Sequence, residues 1–288
     1  MKTLKFILIC ASILMFMFFG GCSPNKRDCS SKISEEDYPW MQRFFEYLLF
    51  SHGGAYTLHG SKPMTCFEVS FYSYEELLEI QKSNNEEVDK SSIIVENCGF
   101  PENWLKWEQV KDRFDFPGFI LTSKKDPDYP KLSRIFFVNV LEMALVIQKH
   151  YSMFRKALGF EFDPLSAVFE IQQEQSVFWD VVSEHSDLIG LLYGFGFRNS
   201  QCFNWKFSEE VPESFKNSFQ SNLSTDWKCK NFSGHEKACD LQIPVFCSFQ
   251  QDDPVIKKYK EEREKIQKLY AEKDVVKIAV EHLTSNSR

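Results

Sequence analysis

The sequence lacks the excess of positive charge that nucleic-acid-binding proteins carry. Its formal net charge is −7, and removal of residues 1–21, which contain Lys2 and Lys5 but no acidic residue, makes the remainder more negative. Binding to nucleic acid depends on a basic surface that neutralises phosphates. We therefore expect no nucleic-acid partner and no electrostatic attraction to anionic lipid.

The sequence also lacks the short motifs of several common enzyme classes. It contains no H-E-x-x-H zinc motif, no G-x-S-x-G nucleophile elbow, no G-x-x-x-x-G-K-[ST] phosphate loop and no G-x-G-x-x-G dinucleotide motif. The two glycines of "YGFG" (residues 193–196) follow a predicted helix and are typical of a helix C-terminus. We expect no cofactor, and the sequence favours a non-catalytic protein over an enzyme.

An apolar run long enough to span a membrane comfortably is missing as well. The longest run, residues 6–19, covers 14 residues, which as a helix extend about 21 Å, whereas the hydrocarbon core of a bilayer is about 30 Å thick. Lys2 and Lys5 precede the run, and small residues follow it. This arrangement is typical of a signal peptide, with a membrane-spanning helix as the alternative.

The end of the apolar run carries a motif that identifies the class of signal peptide. Phe19, Gly20, Gly21 and Cys22 resemble the lipobox of bacterial lipoproteins, although Phe19 stands where leucine is usual. The resemblance implies that signal peptidase II cleaves between Gly21 and Cys22 and that Cys22 carries a diacylglyceryl group, with further acylation of its new amine. Ser23 replaces the aspartate of the inner-membrane retention signal, which implies the outer membrane in a Gram-negative cell. An ordinary signal peptide with a coincidental cysteine is the alternative.

Two longer segments suggest a narrower resemblance. "FFEYLLFSHGGAYTLHGSKPMT" (residues 44–65) and "DLIGLLYGFGFRNSQCFNWK" (residues 187–206), together with the lipobox, make the chain similar to lipoproteins of chlamydia-type intracellular bacteria. That family has no assigned activity. The resemblance therefore implies an envelope location and no mechanism.

The N-terminal pattern, the lipobox resemblance and the periodicity of apolar residues together predict the domain organisation. We expect a signal peptide at 1–21, the lipidated Cys22 and a flexible tether at 22–36, a globular domain at 37–250 and a charged C-terminal helix at 251–288. The fold class is predicted to be α+β and predominantly helical, with a few short strands and a cysteine-containing, loop-rich region. The 29 phenylalanines indicate an aromatic core.

Local signals define some of these elements. Asp37 is the expected N-cap of the first helix, and Asp163 followed by Pro164 is the expected start of another. Residues 138–159 are expected to form one long helix, whereas the segment after residue 196 reads as loop. The apolar stripe of the C-terminal helix is expected to dock on its own domain, with pairing to a protein partner as the alternative.

Four of the nine cysteines fall within the loop-rich region. An exported protein meets oxidising conditions, so we predict disulfide bonds among these four, with the three pairings left open: Cys202, Cys229, Cys239 and Cys247. His235 adds another zinc ligand type to this stretch, but the spacings do not match a zinc knuckle. We therefore expect no bound metal.

Two polar clusters are candidates for ligand contact. His52, His59 and Lys62 lie in a glycine-rich connection, and Arg198 and Asn199 lie between aromatic residues. Loops with mixed aromatic and polar side chains can line a ligand groove. The alternative is that these polar groups form hydrogen bonds that stabilise turns.

These observations predict a lipid-anchored protein of the bacterial cell envelope, attached to the membrane through covalent lipid, with a non-catalytic binding or structural role. One alternative is an exported hydrolase or transferase with a site near His52, His59 and Arg198. A second alternative is a secreted partner-binding protein, which would require the acylation prediction to be wrong.

Overall fold

The computed structural model describes residues 33–73, 75, 76, 79, 99–221, 237–248 and 252–285. The described chain contains twelve α-helices and one three-stranded sheet, which confirms a predominantly helical α+β fold. The predicted signal peptide, Cys22, most of the tether, Cys229 and His235 lie outside the described residues. None of the described helices combines the length and apolarity needed to cross a lipid bilayer.

The elements of the first half surround and include the sheet. In chain order they are α1 (Tyr38–Glu46), a π-helical turn (Tyr47–Ser51), α2 (Gly54–His59), β1 (Met64–Ser70), α3 (Phe100–Val110), a 3₁₀ turn (Lys111–Arg113), β2 (Phe119–Lys125) and β3 (Leu132–Asn139).

The second half is almost entirely helical. Its elements are α4 (Val140–Lys149), α5 (Tyr151–Leu158), α6 (Pro164–Phe169), a 3₁₀ turn (Glu170–Gln172), α7 (Val177–Ser183), α8 (Ser186–Leu192), α9 (Phe197–Phe207), α10 (Glu213–Lys216), β4 (Gln220–Ser221), a 3₁₀ turn (Ala238–Asp240), β5 (Cys247–Ser248), α11 (Pro254–Tyr270) and α12 (Val275–Thr284).

The main sheet has the order β1-β3-β2, and both pairings are antiparallel. In the register, Phe67 lies opposite Ile135, and Leu121 lies opposite Phe137. Because successive side chains of a strand point to opposite faces, alternate residues of β3 contribute to two cores, one on each side of the sheet. β4 and β5 form a separate antiparallel pair.

The first core lies between one face of the sheet and helices α1, α2, α3, α11 and α12. Its buried side chains are largely aromatic and include Phe44, Phe45, Tyr47, Tyr56, Phe67, Phe100, Trp104, Trp107, Phe119, Phe137, Tyr259 and Tyr270. The helical spacing of apolar residues in α1 and α3 brings these rings to one side of each helix.

The second core lies between the other face of the sheet and helices α4 to α8. Its buried side chains are mostly aliphatic and include Met64, Ile120, Val138, Val140, Met143, Ile147, Leu158, Val168, Ile171, Val182, Leu188, Leu191 and Leu192. Phe154, Phe178 and Trp179 are its aromatic members.

Several local predictions are confirmed. The side chain of Asp163 accepts a hydrogen bond from the backbone N–H of Ser166 at 2.7 Å, with Pro164 in the first turn, as an N-cap requires. The C-terminal stripe, with Ile256 and Ile266, packs into the first core of its own domain.

Other local predictions are wrong or hold only in part. Asp37 occupies the N-cap position of α1, but its side chain makes no capping hydrogen bond, and its carboxylate instead accepts hydrogen bonds from Trp40 Nε1 at 3.2 Å and Arg113 Nη1 at 2.8 Å. The long helix expected at 138–159 starts later and is divided at His150, whose φ of −111° and ψ of 22° are not helical. The C-terminal helix is divided between α11 and α12, where Glu272 has a φ of 55°.

The segment after residue 196 is helix α9 and not loop. Its asparagine, serine and cysteine residues have low helix propensity, but tertiary packing outweighs that preference. α9 packs closely on α8, where a Cβ on Gly190 would lie only 2.9 Å from Ser200 Oγ. Asn199, Ser200 and Cys202 are buried, so contact with α8 stabilises the helix.

Candidate functional site

The two candidate polar clusters meet at Gly194. Gly194 has a φ of +79°, and a Cβ there would lie 3.1 Å from Pro63 Cδ and 3.5 Å from Lys62 Cα. Tyr259 fixes this turn by donating its hydroxyl hydrogen to Gly194 O at 3.0 Å. A positive φ and a close backbone approach are both conditions that favour glycine. The structure therefore brings Lys62 against the turn that precedes Arg198 and Asn199.

Lys62 is the centre of this contact. Its side chain is 8% exposed, and its Nζ donates a hydrogen bond to Thr65 Oγ1 at 3.1 Å. Thr65 Oγ1 shares a second hydrogen bond of 2.8 Å with Thr57 Oγ1. Burial lowers the pKa of Lys62 to about 8, because the charged form loses its hydration. A fraction of the Lys62 side chains is therefore uncharged near neutral pH.

The lysine and hydroxyl have the chemical parts of a general base and a nucleophile. A lysine with a lowered pKa can accept a proton from a neighbouring hydroxyl. Thr65, however, is only 1% exposed, and Thr57 is fully buried. Because a substrate has to contact the nucleophile, this arrangement supports a role in the interior of the domain.

His52 packs as an aromatic ring within the first core. Its ring stacks on Phe67 with the centroids 3.9 Å apart and the planes inclined by 9°, and it also contacts Tyr47. Burial, with a smaller effect from the charge of Lys62, lowers the pKa of His52 to about 3. His52 is therefore neutral at physiological pH.

His59 is held between the two C-terminal helices. His59 Nε2 shares a hydrogen bond of 2.7 Å with the hydroxyl of Tyr270, and its ring lies 4.5 Å from that of His282. Burial, followed by the nearby His282, lowers the pKa of His59 to about 3. Burial also lowers the pKa of His282. This cluster is consequently neutral at pH 7 and joins α2 to α11 and α12.

Arg198 and Asn199 have different surroundings although they are adjacent in α9. Arg198 is exposed, whereas Asn199 is buried. Asn199 Nδ2 donates to Phe195 O at 3.0 Å and to Asp253 Oδ1 at 3.1 Å, and the same Asp253 oxygen accepts from the N–H of Val255 at 2.8 Å. Asn199 therefore stabilises the start of α11.

The partners of the candidate residues come from distant segments that sequence reasoning missed. Tyr270 and His282, which contact His59, lie more than 200 positions after it in the chain. Spacing in the sequence carries no signal for such long-range contacts. Only the approach of α11 and α12 to α2 brings these groups together.

The structure joins none of the cysteines that it describes by a disulfide bond: Cys66, Cys202, Cys239 and Cys247. Within the described ranges, no group of three or more histidine, cysteine or acidic side chains could hold a metal ion. Cys229 and His235, which belong to the cysteine-rich segment, lie outside these ranges.

No family model, curated protein or solved structure shows a significant match to this chain.

Proposed function

We propose that the protein is a lipid-anchored component of a bacterial envelope whose folded domain has a non-catalytic binding or structural role. Two kinds of observation support the proposal. The order of Lys2 and Lys5, an apolar run, Gly21 and Cys22 supports lipid anchoring. The packing of the candidate polar side chains supports a role without catalysis.

The packing of the polar side chains is the observation that carries the non-catalytic role. His52 stacks on Phe67, His59 bonds to Tyr270, and Asn199 bonds to Asp253. An active site needs a nucleophile or base within reach of substrate. These groups instead contact other side chains within the domain, and Arg198 is exposed on α9.

The lipid on Cys22 would hold the domain close to the bilayer. A single acyl chain gives only marginal membrane binding, whereas two or three chains hold a protein stably. The residues between Cys22 and α1 extend at most about 50 Å. The domain would therefore act at the membrane surface.

Intact-mass analysis of the full chain expressed in a bacterium tests the anchor. We expect the wild type to lose residues 1–21 and gain acyl mass. Cys22→Ala should abolish both changes, whereas Cys29→Ala, which alters a cysteine just after the cleavage site, should retain them. A soluble mature chain that starts at another residue and carries no acyl group would support the secreted alternative and contradict the anchor.

Amine labelling at pH 8 tests the non-catalytic role. Because Lys62 is buried, we expect an amine-reactive reagent to modify it much more slowly than the exposed Lys265 in the native protein, and at a similar rate once the protein is unfolded. Peptide mass mapping over time gives both rates. Faster labelling of native Lys62 than of Lys265 would indicate an accessible, activated amine and would favour the enzyme alternative.

A further inference from the structure

Cys202 and Cys247 lie on neighbouring elements of the second half of the molecule. Cys202 is fully buried in α9, and Cys247 is 7% exposed in β5. Of the four described cysteines, these two are buried, whereas Cys66 is partly exposed and Cys239 is exposed. We propose that Cys202 and Cys247 form a disulfide bond that joins α9 to β5 in the exported protein.

The contacts around the two cysteines hold the two elements together. α9 packs directly against β5. The ring of Phe195 stacks on Phe246, with the centroids 5.3 Å apart, and Phe246 immediately precedes Cys247. Asn199 of α9 also donates a hydrogen bond to Asp253, the N-cap of α11.

The position of Cys202 on α9 completes this geometry. Residues three apart on a helix lie on the same face, so Cys202 lies on the face of α9 from which Asn199 contacts Asp253. Burial, followed by the proximity of Cys247, raises the pKa of the Cys202 thiol to about 11. Helix face, element packing and electrostatic proximity therefore agree on the same pair.

The other described cysteines have different surroundings. Cys239 is exposed, and its Sγ donates a weak hydrogen bond to Asp240 Oδ2 at 3.9 Å. Cys66 lies on β1, and its thiol interacts with Tyr193. Among the cysteines that the structure describes, the surroundings therefore favour the Cys202–Cys247 pair, whereas the sequence leaves three pairings open.

Formation of this bond requires an oxidant. The oxidant is an external disulfide, either oxidised glutathione or the disulfide of an exported oxidoreductase. The thiolate of one cysteine attacks a sulfur of the oxidant, which forms a mixed disulfide and releases one thiolate. The thiolate of the second cysteine then attacks the protein sulfur of the mixed disulfide and releases the second thiolate of the oxidant. Two protein thiols are oxidised, one external disulfide is reduced to two thiols, and the two released thiolates take up the two protons.

The burial of both sulfurs determines when the bond can form. A thiol with a raised pKa forms little thiolate at neutral pH, and a buried thiol is inaccessible to an oxidant. We therefore expect the bond to close during folding, before α9 and β5 exclude solvent. The folded, reduced protein should oxidise slowly.

The bond would close a loop of about 45 residues. Such a crosslink stabilises a protein mainly by restricting the unfolded chain. For a domain of this size we expect the oxidised protein to unfold about 5–10 °C higher than the reduced protein.

Refolding of the full chain in a glutathione redox buffer tests the proposal. The reduced, unfolded protein is refolded with reduced and oxidised glutathione, blocked by alkylation and mapped as non-reduced peptides. We expect a linked pair containing Cys202 and Cys247 as the main product, with the mass lowered by the two lost hydrogens. Cys239→Ser serves as the matched control and should leave that pair unchanged, whereas Cys202→Ser should remove it.

Two results would overturn the proposal. One is a main product that links Cys229 or Cys239 to either cysteine, and the other is full alkylation of Cys202 and Cys247 after refolding. Both results are read from the wild-type chain, so they do not depend on whether a variant folds.

The proposed disulfide rests on the proposed function in one respect: export places the protein in an oxidising compartment. A protein isolated with an acylated Cys22 but with both thiols reduced would contradict the disulfide and leave the anchor intact. A Cys202–Cys247 bond after refolding, in a protein that is not acylated in cells, would support the disulfide and contradict the anchor.

Discussion

The two cores on either side of the sheet differ in chemistry. The first core packs aromatic rings against one another, as around Phe44, whose ring contacts those of Trp40, Phe45, Phe100, Trp104 and Trp107. The second core is mainly aliphatic, and its Phe154 contacts the ring of Phe178. The sheet therefore separates two layers with different sources of stability.

The difference extends to the polar groups. His52, His59 and Lys62 are placed among the residues of the first core, where burial lowers the pKa of all three. On the other side of the sheet, the half-buried His150 stacks on Phe197 near the surface. The first core thus combines large aromatic area with neutral histidines, which should make its stability depend on pH.

The largest expected effect is from a ring removed from the first core. Phe44→Ala should lower the free energy of unfolding by about 3–5 kcal/mol, because it leaves a cavity and removes several ring contacts. Phe154→Ala in the second core should cost less, since Phe154 makes one ring pair within the part of the chain that the structure describes. Urea unfolding of both variants gives the comparison. An equal or larger loss for Phe154→Ala would show that ring contacts do not distinguish the two cores.

Acid should weaken the first core. The unfolded histidines have a pKa of about 6.5, whereas His52 and His59 have folded values of about 3. Between these values the unfolded chain binds more protons, so stability is fully present above about pH 6.5 and is lost as the pH falls toward 3. At pH 5 we expect a loss of about 2 kcal/mol for each histidine.

Urea unfolding at pH 7 and pH 5 measures this loss. His52→Phe, which keeps an aromatic ring against Phe67, should reduce the difference between the two pH values by about 2 kcal/mol. The exposed His185 is the matched control, and His185→Gln should leave the difference unchanged. An unaltered pH dependence in His52→Phe would contradict a lowered pKa of His52 as a cause of the loss of stability in acid.

Helix capping provides a smaller test, in which a buried cap is compared with an exposed one. Asp253→Ala removes the cap of α11 and the acceptor of Asn199, and should cost about 1–3 kcal/mol. Asp163→Ala removes only the exposed cap of α6 and should cost about 1 kcal/mol. Thermal or urea unfolding ranks the two variants. A larger loss at Asp163 would argue against a stabilising role for the buried Asn199–Asp253 contact.

Exposed ion pairs should have the smallest effect. Arg155 and Glu161 lie 3.3 Å apart on the side of the second core, and both side chains are more than half exposed. Arg155→Ala should therefore change the free energy of unfolding by less than about 0.5 kcal/mol. Arg113→Ala, which removes a 2.8 Å pair with the less exposed Asp37, should have the larger effect of the two. A larger loss of stability for Arg155→Ala than for Arg113→Ala would show that burial does not determine how much these ion pairs stabilise the fold.

The sequence predicts the elements whose causes are local. The apolar spacing of α1 and α3 and the N-cap at Asp163 follow from residues that are neighbours in the chain. The division of the predicted long helix at His150 and the helical state of α9 do not, because packing against other elements decides them. Asn199 illustrates the limit: its residue type suggests a loop or a ligand contact, but Asp253, which it contacts, is 54 positions away.

The sequence by itself determined a predominantly helical α+β domain, an aromatic core and an N-terminal run too short to span a bilayer comfortably, because hydrophobic periodicity, phenylalanine content and run length are properties of the chain alone. Only the tertiary structure decided that two cores lie on opposite faces of one sheet, that His52 and His59 are neutral packing residues, and that Cys202 lies by Cys247. The physical reason is that burial, pKa and thiol proximity depend on which distant segments exclude water from a group. Cys22 belongs to the first kind of information, since its expected processing depends on the residues beside it in the chain.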